Sequence, residues 1–97
     1  MKIYLVSQNI VSGYDTYDSF VAVAESEEDA RSMHPSEFVT HIKDGKWMGT
    51  YTEGGEYEYY SLDWPQYDKV SEIQVKYIGE ASNDMKIGVV CASFNAG

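Results

Sequence analysis

Residues 18–35, DSFVAVAESEEDARSMHP, hold a strand, a helix start and a helix stop in direct succession, and their reading decides the fold class. Phe20, Val21, Ala22, Val23 and Ala24 form a short apolar run with β-branched members, which reads as a strand covered at least in part on both faces. Ser26 then opens Ser-Glu-Glu-Asp, the spacing at which a hydroxyl accepts from the backbone N–H three residues on. Glu27, Glu28 and Asp29 fall in the first turn, where the positive end of the helix dipole favours carboxylates. The helix is expected to start near Glu27 and to last only about two turns, because Pro35 disfavours the α conformation at His34. Arg31 lies four residues after Glu27, placed to pair with it. So short a helix does not hold in water by itself, so Ala30 and Met33 are expected to pack it on a sheet.

Working outward, residues 3–8 read as an interior strand, with Ile3 and Leu5 on one face and Tyr4 and Val6 on the other. Residues 9–17 carry turn chemistry (Ser12-Gly13 and Tyr14-Asp15-Thr16-Tyr17-Asp18) and return the chain as an antiparallel partner. After Pro35, residues 38–43 and 46–52 flank Asp44-Gly45, a strong type I′ hairpin signal because both central residues need positive φ. A two-residue loop sets Ile42 opposite Trp47, His41 opposite Met48 and Lys43 opposite Lys46, the like-charge pair being relieved by Asp44. Gly54-Gly55 reads either as a second tight turn into residues 56–60 or as a loop, and Pro65 ends what precedes it. Residues 72–79 alternate cleanly, with Ile73, Val75 and Tyr77 on one face. Residues 80–86 are polar turn sequence. Residues 87–94 close the chain as a strand, with Val89 and Cys91 on one face, Val90, Ala92 and Phe94 on the other, and a bulge at Gly88. This order predicts one α+β domain over residues 1–97, an antiparallel sheet of four to six strands with one short helix on a face.

Sixteen acidic against seven basic residues give a net charge of -9, which opposes direct binding to nucleic acid or to anionic membranes. A charged partner is therefore expected to be basic. The single cysteine, Cys91, allows no internal disulfide, and the apolar run at the N-terminus is too short for a signal peptide, so a cytoplasmic protein is expected.

The least ordinary composition lies between Trp47 and Asp68, a window without Lys or Arg. Trp47, Tyr51, Tyr57, Tyr59, Tyr60 and Trp64 interleave there with Glu53, Glu56, Glu58 and Asp63, which are read as a partner-binding surface of rigid aromatic area and carboxylates. The alternative is a Tyr-rich hairpin with one face on the core and its acids in solvent. The same acids permit a DNA-mimic reading, in which carboxylates stand where phosphates would. Asp15 and Asp18 have oxygen ligands for a cation but no recognisable loop spacing, so they are read as turn residues, and no metal or cofactor is expected. His34, His41, Cys91 and Asn95 supply the residue types of a thiol nucleophile and its base, yet Cys91 falls in an apolar strand, where a thiol acts as a small hydrophobe. No catalytic residue is assigned and a non-enzyme is expected.

Three segments together have a family character: residues 13–19 (GYDTYDS), residues 24–31 (AESEEDAR) followed by His34-Pro35, and residues 88–97 (GVVCASFNAG). In these the chain resembles small uncharacterised accessory proteins of tailed bacteriophages. The resemblance implies a protein acting inside a bacterial host and carries no activity over to these positions. The expectation is a non-catalytic protein that binds, and inhibits, a host defence or nucleic-acid enzyme with a basic surface. Two alternatives stand beside it: a protein sequestering a small molecule or nucleotide, although Arg31 is the one arginine available for phosphate, and a homodimer joined through unpaired strand edges.

Overall fold

The computed structural model describes residues 1–95; Ala96 and Gly97, the end of the last segment carrying the phage resemblance, lie outside the described residues. The chain forms β1 (Lys2–Ser7), β2 (Thr16–Ala24), α1 (Glu27–Arg31), β3 (His41–Lys43), β4 (Lys46–Thr50), β5 (Glu56–Glu58), a 3-10 helix (Tyr67–Glu72), β6 (Gln74–Glu80) and β7 (Gly88–Asn95). The fold is α+β. A four-stranded antiparallel sheet in the order β6-β1-β2-β7 carries α1 against β1, β2 and β6, and the remaining strands form a separate three-stranded sheet, β3-β4-β5. None of the described helices is long and apolar enough to cross a membrane.

Local chemistry accounts for the elements that the sequence foretells. Ser26 caps α1 by accepting from Asp29 N–H at 3.2 Å, and Arg31 pairs with Glu28 and, at 3.8 Å, with Glu27. Arg31 Nε also donates to the Ile73 carbonyl at 3.3 Å, which ties the helix to the entry of β6. The β3–β4 turn has Asp44 and Gly45 at φ of 52 and 71, and its register sets Ile42 opposite Trp47 and Lys43 opposite Lys46 as expected. Relief of the two lysines comes chiefly from the third strand: Lys43 pairs with Glu56, and Lys46 with Glu58 at 3.5 Å. The turn at Gly54-Gly55 is a tight one, with both glycines at positive φ and Gly54 N–H donating to the Tyr51 carbonyl. Gly49 leaves room for the Tyr57 ring; a Cβ there would collide with Tyr57 Cζ.

Three expectations change. Ile73 is not in a strand; it ends the 3-10 helix, which no apolar period in residues 67–72 announces and which the Tyr67 ring anchors edge-on against Trp47 at 5.2 Å. Tyr77 faces Tyr4 across β1 and β6 but stays half exposed, because β6 is an edge strand. Val89 and Cys91 do not share a face: Ala22 pairs with Val89 and Val21 with Cys91, so Val90 is an extra bulged residue and the alternation reverses. Val89 packs on the core, and Cys91 is exposed rather than buried as a small hydrophobe.

The core lies between the sheets. Tyr4 and Val6 from β1 and Phe20, Ala22 and Ala24 from β2 meet Ala30, Trp47, Trp64 and Ile73. Trp47 Nε1 donates to the Pro65 carbonyl at 2.9 Å, whereas Trp64 Nε1 is buried with no partner among the described residues. This difference makes a paired experiment. Trp47→Phe and Trp64→Phe remove the same volume, but the first orphans a buried carbonyl and the second removes an orphaned donor. Trp47→Phe is expected to be the more destabilising by roughly 1–3 kcal/mol in urea unfolding; equal losses would mean that the Trp47–Pro65 bond does not hold the sheets together.

Candidate functional site

The structure divides the aromatic and acidic window into an interior and two separate surface ends. Trp47 (2 % exposed) and Trp64 (0 %) belong to the core, so neither is available to a partner surface. Tyr59 is half-buried and donates to Asp63 Oδ2 at 2.9 Å, which also turns Asp63 inward. Their side chains hold the loop that follows β5. Tyr57 and Tyr51 lie ring against ring at 4.8 Å beside the Gly54-Gly55 turn, with Glu53 exposed nearby in the chain. Glu56 is held by Lys43 and, at 2.6 Å, by His41; these two contacts, Lys43 first, keep its carboxyl below the usual range. Glu58 sits beside Lys46. The two β5 carboxylates that would begin a phosphate-like row are thus each accompanied by a cation from the neighbouring strands.

At the opposite end of the small sheet Tyr60 is 71 % exposed and Leu62, which composition did not single out, is 73 % exposed. Tyr60 borders a shallow cleft of about 360 Å³ with Lys46, Glu58, Gln66, Tyr67 and Asp68. Asp68 has no cationic partner among the described residues. Aromatic faces beside carboxylates are the surroundings a lysine or arginine side chain takes, its stem on a ring and its charge on an oxygen.

A second cleft, of about 250 Å³, lies among Met33, Val39, His41, Ile42, Gly88 and Val89. No lysine or arginine lines it, so it offers a phosphate no permanent cation.

His34, which the sequence offered as a candidate base and otherwise as a helix-end residue, lies beyond the end of α1. It is buried, edge-on to Trp47 at 5.0 Å and to Tyr59 at 5.3 Å. Its Nδ1 accepts from Ser36 N–H at 3.0 Å, so Nε2 carries the proton and donates to Ser61 Oγ at 2.9 Å, while the Ser61 hydroxyl donates to the Trp64 carbonyl at 2.5 Å. Asp63 Oδ1 lies 3.7 Å from that same Nε2. Serine, histidine and aspartate are therefore together, but the protons run from histidine to serine to backbone. A nucleophilic serine requires the reverse, with the acid on the far ring nitrogen. This cluster closes a loop onto the core. The earlier thiol set is not assembled either: His41 is engaged with Glu56, and Asn95 donates to Asp18 at 3.1 Å. Among the described residues no three His, Cys, Asp or Glu side chains are placed to share a metal ion.

Comparisons of the chain with protein-family models, with curated proteins and with solved structures found no match.

Burial pushes the His34 pKa down to about 4 from 6.5, with Asp63 partly opposing. Above pH 6.5 the ring is neutral in folded and unfolded chains alike; between 6.5 and about 4 only the unfolded chain takes the proton; below about 4 both do. Stability is therefore lost as pH falls through that window, on the order of 3 kcal/mol in all. In urea titrations across the window, His34→Asn should be less stable than wild type at neutral pH and should show a shallower loss on acidification. Parallel pH profiles would remove His34 as the acid-sensitive group.

Proposed function

We propose that this is a non-catalytic interaction protein, of the phage accessory type its sequence resembles, that binds and inhibits a basic protein in the cytoplasm of a bacterial host. The observation that carries the reading is the cleft at Tyr60, where two tyrosines, the Asp68 carboxylate, unpaired among the described residues, and the Glu58–Lys46 ion pair surround a space of side-chain size at an exposed end of the small sheet. An arginine or lysine of the partner fills it, its stem on the Tyr60 ring and its charge on Asp68, with Leu62 as adjoining apolar area. The net charge of -9 steers such a partner toward the surface. Protein binding is favoured over DNA mimicry because Glu56 and Glu58 are matched by His41, Lys43 and Lys46. It is favoured over nucleotide binding because no lysine or arginine lines the second cleft.

Tyr60 and Asp68 are exposed, so Tyr60→Ala/Asp68→Asn should leave the urea midpoint unchanged. The variant is expected to bind an arginine-rich peptide about tenfold or more weakly than wild type, and to lose the partner that wild type retains from a low-salt bacterial lysate. Unchanged peptide affinity and unchanged capture would remove this cleft as the binding site.

A further inference from the structure

We infer that the outer edge of β7 is a self-association surface, on which the β7 of a second copy of this chain pairs antiparallel to make one continuous sheet. β7 is an edge strand, and Val90, Cys91, Ala92, Ser93, Phe94 and Asn95 are all exposed. Its inner side is bonded to β2; its outer row of N–H and C=O groups meets no strand among the described residues. Edge strands are ordinarily protected from such pairing by charges, prolines or pronounced bulging. The opposite edge shows this protection: β6 carries Lys76 and Glu80, and Ile78 is bulged out of its pairing with β1. On β7 the one extra residue, Val90, lies near the beginning; the second irregularity of this pairing is on β2, where Asp18 is the extra residue opposite Ser93 and Phe94, and residues 87–97 contain no charged side chain.

The charge distribution selects the occupant. Two chains of net charge -9 repel each other, so they associate only where no carboxylate is opposed to another, and β7 is the longest charge-free strand of the fold. A basic segment from another protein gains nothing from β7, which has no acid to offer it. A second β7 supplies an uncharged, extended edge of equal length, and a two-fold axis across the sheet brings the two together antiparallel with every contact made twice. The surface is separate from the Tyr60 cleft, and its salt dependence is opposite. Screening the mutual repulsion of two acidic chains strengthens the dimer, whereas it weakens the hold on a basic partner.

Sedimentation equilibrium of the full chain from micromolar to millimolar concentration, at low and high salt, tests this. Wild type is expected to pass from the 11.0 kDa chain mass to twice that value, with the transition moved to lower concentration by added salt. Val90→Lys/Ser93→Lys lowers the net negative charge yet sets like charges against each other at the edge; it should stay monomeric throughout while its thermal unfolding matches that of the wild-type monomer. A wild-type monomer under all conditions would overturn the proposal and leave the edge to an extended segment of another protein. A dimer that persists in the lysine variant would overturn it by placing the interface elsewhere.

Discussion

Two indoles fill the space between the sheets, and the arrangement of the rest follows from their burial. Trp64 lies on Phe20 of β2 with ring centroids 5.1 Å apart, and Trp47 of β4 stands edge-on to Tyr67 and His34 while its N–H holds the Pro65 carbonyl. A large aromatic side chain removes about 150–250 Å² from water, which at roughly 25 cal/mol per Å² is about 4–6 kcal/mol each as an upper bound. Two such contributions are comparable with the roughly 5–15 kcal/mol net stability of a whole domain. The small sheet, with strands of three, five and three residues, has few contacts of its own with which to persist. It is held because Trp47 is.

Burying Trp64 obliges the loop after β5 to satisfy its polar groups internally. Tyr17 N–H donates to the Asp63 carbonyl at 2.9 Å, Gln66 Nε2 to the Ser61 carbonyl at 2.7 Å, and the His34–Ser61–Trp64 chain accounts for the carbonyl nearest the indole. An arrangement of serine, histidine and acid here is a consequence of packing a loop on a core, where a neutral histidine is an economical two-ended connector. The same geometry sorts the aromatic window. Side chains that close the loop go inward, and Tyr60 and Leu62, which close nothing, are left at the surface beside Asp68.

The two edges of the larger sheet differ for reasons of register. A bulge opposite Ile3 and Tyr4 disturbs β6 in mid-strand, while on β7 the bulged residue, Val90, is the first of the exposed run and turns Cys91 away from the core. The side-chain period of a strand is two, so one extra residue changes the environment of every residue beyond it.

The capped helix, the Asp44-Gly45 hairpin with its register, the antiparallel pairing of the first two strands and the α+β class were all legible in the sequence, because each depends on backbone sterics and hydrogen bonds a few residues apart. Ser26 needs only Asp29, and a type I′ turn needs only its two central residues. The sequence could not divide the strands into two sheets, bury Trp47 and Trp64 while exposing Tyr60, or draw His34 to Ser61 twenty-seven positions away. Composition treats all the tyrosines and tryptophans of the window alike, and alternation cannot register a bulge that lies in the pairing rather than in the residues. Which aromatics are core, which acids are matched by cations and which strand edge is left open were decided by contacts between segments distant in the chain, and these exist only once the sheets have closed on their common interior.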